Sequence, residues 1–232
     1  DSLSSAPIYG PGKVFEMLDY KLYRWPGHGV PSTSPYQCVE AEYMKAEDYD
    51  QFLRDPSDFF MRTYLPRVFG ALGGWSMLSP LTDILELPFL GGYMVPVGIP
   101  PVGASFQKLI EAGQAAMEWI QAALAVDGAT VATLGIPPLI GGFTKAPFDT
   151  LGDTLRGTRA IMLDMFRQPK KLLAALDLLV PIAIEMGVRS STNNKNPICF
   201  IPLHKGADGF MSNKDFKTFY WPTLKAVVLG LI

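Results

Sequence analysis

The chain has 232 residues, 48% hydrophobic and 18% charged, with a formal net charge of −2. That length and composition suit one large packed domain and exclude a globally disordered chain. Twenty basic residues balance 22 acidic ones, with no run of five like charges, so no electrostatic footprint for nucleic acid exists.

Cys38 and Cys199 lie far apart with no CxxC pair, so two reduced thiols are expected, not a disulfide framework or structural zinc site. Pro, Gly or charge interrupts every apolar run before the ~20 residues that span a bilayer. No charged-then-apolar leader opens the chain. A cytoplasmic protein with no membrane partner is the expectation. The chain begins at Asp1 and ends inside an apolar helical run, 224–232, without a C-cap. It therefore reads as an incomplete, internal portion of a longer domain.

In chain order, residues 14–18 read as a short helix and 21–25 as a short strand. WPGHGVP (25–31) is a loop, because Pro and Gly punctuate it. His28 within it suits a turn-stabilising or stacking role, with the substrate pocket as its functional alternative. In PYQCVEAEYM (35–44), Gln37 is a further pocket candidate. Strand alternation puts Glu40 and Glu42 on one side, as a mutually perturbing carboxylate pair or a surface edge. Residues 46–55 begin a helix with Asp48 and Asp50 in its first turns. Ser57 or Asp58 caps the next helix, which runs to Phe69. Residues 70–104 read as an irregular insertion, and such a long one points to a lid or binding loop. Residues 105–126 form the clearest helix, with Phe106, Leu109, Ile110, Gly113, Met117, Ile120 and Leu124 on one face. Gly128 ends it. Residues 138–143 form a buried strand, 150–166 a helix, and 169–186 another, kinked or bounded at Pro181. NPICFIPL (196–203) is a second buried strand. Ser212 caps the helix 213–220, and Trp221-Pro222 bends the chain before a final helix whose Met and aromatic residues read as core.

Strand–helix alternation with buried strands argues for parallel α/β architecture, and a doubly wound sheet or an eight-fold barrel would both fit. Neither GxGxxG nor GxxxxGK[ST] occurs. In such folds the reacting groups sit where strands end and βα loops begin. GGFTKAPFDTLGDTLRG (141–157) offers Thr144, Lys145, Asp149 and Asp153 at one such junction. IPLHKGADGFMS (201–212) offers His204, Lys205 and Asp208 at another. His204 is a natural proton carrier or metal ligand, or else a hydrogen-bonded loop residue. The lysines bind carboxylates as point charges or stay solvated. Asp149 and Asp153, four apart, serve acid–base work or match the helix dipole.

The first junction resembles a segment of the uroporphyrinogen decarboxylase superfamily that reads glycine–aromatic–x–x–alanine–proline–aromatic, then helix, then glycine. LHKGADGFMSNKDFKTFYWPTLKAVV resembles the family's next unit, and RDPSDFFMRTYLPRVFGAL and WPGHGVP resemble a diverged branch. The resemblance covers about three quarters of the chain and is weak over 71–103. It implies a (β/α)8 TIM barrel, here an incomplete portion over 1–232. It implies one of two activities. A corrinoid-linked methyltransferase would move a methyl group between a cobamide and a thiol or methylated substrate, with zinc. A uroporphyrinogen III decarboxylase would need neither metal nor cofactor. The family's zinc ligands, a His-x-Cys and a distant Cys, do not occur here and are expected beyond Ile232. On the gapless match Asp153 stands where decarboxylases place a tyrosine, which favours the methyltransferase. Asp149, Asp153 and His204 are then the expected catalytic groups. Thr144, Lys145, Lys205, Asp208, His28 and Gln37 are the expected substrate-binding groups. The implied partner is a corrinoid protein or a tetrapyrrole-like small molecule, and a homodimer is compatible with the family. A non-catalytic partner of a corrinoid protein is the third reading.

Overall fold

A computed structural model describes residues 11–83, 92 and 94–232 of the chain. The fold is mixed α/β and mostly helical. An amino-terminal helix α1 (Gly12–Leu18) leads into three short strands, β1 (Tyr23–Pro26), β2 (Gly29–Val30) and β3 (Gln37–Cys38), which form a sheet of order β2-β1-β3. β3 runs antiparallel to β1, with Tyr23 opposite Cys38 and Arg24 opposite Gln37. The expected strand through Glu40 and Glu42 therefore stops at Cys38, and the two carboxylates take separate partners instead of forming a pair.

Next come α2 (Tyr49–Arg54), α3 (Pro56–Phe59), a π-helical stretch Phe60–Tyr64 and α4 (Leu65–Val68). Asp55, not Ser57 or Asp58, caps α3: its side chain accepts the Asp58 amide at 3.0 Å. The insertion expected at 70–104 carries structure of its own, a 3-10 stretch Gly70–Met77 and α5 (Met94–Val97), while residues 84–91 and 93 of it lie outside the described residues. α6 (Pro100–Leu134) starts earlier and ends later than 105–126. It runs through Gly128, a residue a helix tolerates at ~1 kcal/mol. It stops at Gly135, whose φ of 65° supplies the left-handed cap. Phe106 of the expected apolar face packs against the core, but much of that face is open. Ile110, Met117 and Leu124 are each more than half exposed, because the neighbours α1 and Gly70–Met77 pack on Val102 and Ala112.

β4 (Gly142–Phe143) and β5 (Cys199–Phe200) pair in parallel, with Gly142 opposite Cys199 and Phe143 opposite Phe200. Between them lie α7 (Pro147–Asp149), a π stretch Thr150–Leu155, α8 (Thr158–Arg167) and α9 (Pro169–Asn193). A single helix over 150–166 is broken by Gly157 at φ 77°, a conformation that disfavours any side chain. Among the described residues this is the one parallel pair across a helical crossover, and no closed ring of strands forms. The strands are also less buried than expected. Phe143 and Phe200 are about half exposed, since no third strand flanks them here. α9 passes through Pro181 without ending; that residue and Asp177, whose carbonyl loses its amide partner, are both exposed.

After β5, Ser212 caps α10 (Asn213–Asp215) as expected, accepting the Asp215 amide at 3.1 Å. A π stretch Phe216–Tyr220 then runs directly into α11 (Trp221–Leu231), so Trp221-Pro222 does not break the chain. The same arrangement precedes Pro66. In both, the carbonyl four residues before the proline, at Arg62 or Thr218, lies in the π stretch, where the widened turn relieves the ring's clash. Trp221 stays exposed, whereas Phe219 and Tyr220 are core.

The main core gathers Phe52 and Phe59 from α2 and α3, Phe148, Leu151, Leu155 and Ile161 from the crossover, and Leu172 and Leu176 from α9. Each such buried side chain contributes roughly 1.5–3 kcal/mol. This core fixes α7, α8 and the β4–β5 pair against the amino-terminal helices. Both cysteines are free. No described helix is long and apolar enough to cross a membrane.

Candidate functional site

The parallel pairing of β4 and β5 brings their carboxyl ends side by side. The chain leaving β4 carries Lys145, Asp149 and Asp153, and that leaving β5 carries His204 and Lys205. Asp149 is fully buried and ties the two together. Its carboxylate accepts the backbone amides of His204 at 3.0 Å and Lys205 at 2.9 Å, and the Tyr220 hydroxyl at 2.7 Å. Asp149 therefore anchors the rim and offers no open acid–base oxygen. Burial and this bond to Asp149 raise the Tyr220 pKa, so that hydroxyl stays a donor.

Asp153 is the hub. One oxygen meets Lys145 Nζ at 2.6 Å and His204 Nδ1 at 2.6 Å, and the other meets Lys205 Nζ at 2.6 Å. Burial pulls its pKa up, but hydrogen bonds from both lysines outweigh it and hold the carboxyl below the ordinary range. Facing a carboxylate, Nδ1 of His204 carries the proton, which leaves Nε2 as the basic nitrogen. The His204 side chain is 54% exposed, whereas Lys205 is 8% exposed. Lys205 also donates to Thr158 Oγ1 at 2.9 Å and lies 3.6 Å from Glu40. Glu40 in turn accepts the Thr158 amide at 2.9 Å and bonds its hydroxyl, capping α8. Two lysine ammonium groups thus face two carboxylates, Asp153 and Glu40, so these four side chains balance in charge.

The remaining expected residues sit elsewhere. Thr144 is fully buried and donates to the Ala183 carbonyl at 2.7 Å, a structural tie between β4 and α9. His28 lies in the Gly27–Gly29 turn against the Trp25 ring, 5.1 Å between centroids. Gln37 is exposed in β3 opposite Arg24. Asp208 forms a bridge with Met211 and joins no ion pair among the described residues. Sequence reading set Glu40 beside Glu42 and missed its partners Thr158 and Lys205, because a capping carboxylate 118 residues away leaves no local signal. It also missed Cys38, which lies near Asp153, Lys145 and Lys205; burial, then the carboxylates, push its thiol pKa up.

Behind the rim, Arg156 and Asp164 form a buried ion pair at 2.6 Å, extended by Tyr49 at 2.9 Å and the Met44 carbonyl at 2.6 Å. A cavity of about 340 Å³ lined by Gly187, Ser191, Lys195 and Cys199 opens at the amino-terminal end of the strand pair, away from these charges. Its single charged lining group, Lys195, cannot assemble acid–base chemistry there, whereas the carboxyl end holds a hydrogen-bonded His–Asp–Lys set. Among the described residues no three His, Cys, Asp or Glu side chains converge to hold a metal. No protein-family model, curated protein or solved structure matches the chain.

Proposed function

We propose that the chain is the rim-bearing portion of a (β/α)8-barrel enzyme of the uroporphyrinogen decarboxylase superfamily, working as a corrinoid-linked methyltransferase. One observation carries this reading: Asp153 and His204, from different strand ends, meet at 2.6 Å beside Lys145 and Lys205. Barrel enzymes place their chemistry at the carboxyl ends of strands. Asp153, kept ionised by the lysines, fixes the imidazole with Nε2 free. Nε2 takes the proton of the methyl-accepting thiol and returns it to solvent, work worth about 10²–10⁴ in rate. The corrinoid, when bound, supplies the methyl group. No zinc ligand set converges among the described residues, and of these residues His204 is the one assigned to take the thiol's proton. Lys145 and Lys205 are already engaged by Asp153 and Glu40 and so are not free to grip the carboxylates of uroporphyrinogen, which supports methyl transfer over decarboxylation.

The test is an assay of methyl transfer from methylated corrinoid to a thiol, set beside carbon dioxide release from uroporphyrinogen III. Methyl transfer that His204→Gln lowers by about 10²-fold or more supports the reading. Carbon dioxide release would transfer the assignment to a decarboxylase. Corrinoid-protein binding with neither activity would make the chain a binding partner.

A further inference from the structure

The contacts that tie α6 to the core end at Ala116, yet the helix continues to Leu134, roughly 27 Å further at the standard rise. Six large apolar side chains, Ile110, Met117, Ile120, Leu124, Val131 and Leu134, stand 40–64% exposed along it. Their spacing is regular. Ile110, Met117, Leu124 and Val131 recur every seven residues, and Ile120 and Leu134 each follow one of them by three. These are the a and d positions of a heptad seam, the pattern by which one long helix packs along another. The charged Lys108, Glu111 and Glu118 all fall off the seam. An exposed apolar stripe of this length marks an interaction surface.

The seam is complementary to itself when two copies run antiparallel about a two-fold axis at Ala122. Each a residue then faces a d residue. Leu124 meets the partner's Ile120, Ile110 meets the partner's Leu134, and Val131 meets the partner's Gly113. The one acid in the seam, Asp127, meets the partner's Met117. The two Asp127 side chains then lie about 15 Å apart along the pair, beyond the ~8 Å screening length. Parallel pairing would press Asp127 against its own counterpart, which like charge disfavours. It would also crowd α1 and Gly70–Met77 of both copies at one end, since they pack on the first half of α6. Charges flanking a seam select a foreign helix, and here the flanks are Gln114, Gln121 and Gly128 on one side and Ala116, Ala123 and Thr130 on the other. None is charged, and the small ones let two like helices approach closely. The joint area is on the order of 1,200 Å², the lower end of a specific interface.

We propose that α6 is a dimerisation helix, pairing antiparallel with α6 of a second copy of this chain along the seam from Ile110 to Leu134. The pairing is isologous, so the same patch serves both copies and the assembly closes at two. Asp127 costs the dimer some stability and fixes its direction, the role a lone polar residue plays in such seams. The inference stands independently of methyl transfer.

The test is sedimentation equilibrium of the whole chain between about 1 and about 200 µM. A reversible monomer–dimer equilibrium is expected, with a Kd on the order of 10 µM for an interface of this size. Leu124→Glu should raise Kd by at least about 100-fold. Because Leu124 is 62% exposed, the melting temperature of the monomer should not change. Met117→Lys tests the direction. Antiparallel pairing sets the lysine against the partner's Asp127, so Kd stays equal or falls; parallel pairing would set lysine against lysine and abolish the dimer. A monomer at every concentration, as expected if the face takes a different protein, would overturn the proposal. So would an assembly larger than two, a dimer that survives Leu124→Glu, or loss of the dimer in Met117→Lys.

Discussion

Asp153 and His204, 51 residues apart in sequence, share a 2.6 Å hydrogen bond, and the same aspartate oxygen holds Lys145 at an equal distance. Asp153→Asn removes the charge that two largely buried lysines face. Stability is expected to fall by roughly 3 kcal/mol near neutral pH, the range for breaking one partner of a buried ion pair. The loss depends on pH. The folded-state pKa of Asp153 lies below its ordinary 3.8, so the folded chain binds fewer protons than the unfolded one. Its contribution is therefore complete above about pH 4 and disappears as pH falls through the folded value. Urea unfolding of both proteins at about pH 6 and about pH 3 should show their difference shrink in acid.

Asp149→Asn tests the anchor between the two strand ends. The amide side chain cannot accept all three bonds that the carboxylate takes from His204, Lys205 and Tyr220. One buried donor is left without an acceptor, at a cost of about 2 kcal/mol. Tyr220→Phe leaves both amides satisfied and should cost about half as much. Chemical denaturation curves of the two variants give the comparison.

Arg156→Ala strands the buried Asp164 carboxylate, which takes both Arg156 Nε at 2.6 Å and Arg156 Nη2 at 3.0 Å. A loss of about 3–5 kcal/mol is expected. Restoring an apolar surface with Arg156→Met and Asp164→Leu together should recover most of it, measured as a double-mutant cycle.

Gly152→Ala perturbs the rim without touching its charges. An added Cβ would lie 2.6 Å from Lys205 Cε, at the far end of a flexible side chain. The lysine moves instead of the backbone and loses its contact with Asp153. Catalysis is expected to drop by about tenfold with a stability change under about 1 kcal/mol, read from kcat and from thermal unfolding.

The meeting of the two strand–loop junctions was legible because buried apolar runs followed at once by polar residues carry their own direction. Lys145, Asp153, His204 and Lys205 could be assigned to one rim from that pattern alone. The role of Asp149 could not, since a fully buried acceptor and an exposed acid read alike in sequence. Helix ends misled wherever tertiary context overrode local preference. Gly128 sits inside α6, Trp221-Pro222 sits inside a continuous helix relieved by a π turn, and Gly157 alone supplies the left-handed break that divides 150–166. The apolar stripe of α6 has the right period for burial, but periodicity tells which face is apolar and not what covers it.

Glu40 closes the start of α8 and also stands 3.6 Å from Lys205, bridging 118 residues to Thr158. Contacts so remote in sequence reward the chain only after a large loop has been closed, so they form late during folding. Local packing such as that of Phe52 on Phe59 would assemble first and leave the rim's charges unmatched until Glu40 docks. A slow refolding phase, retained in Tyr220→Phe but altered by Glu40→Gln, would then report the moment at which the chain becomes competent to work.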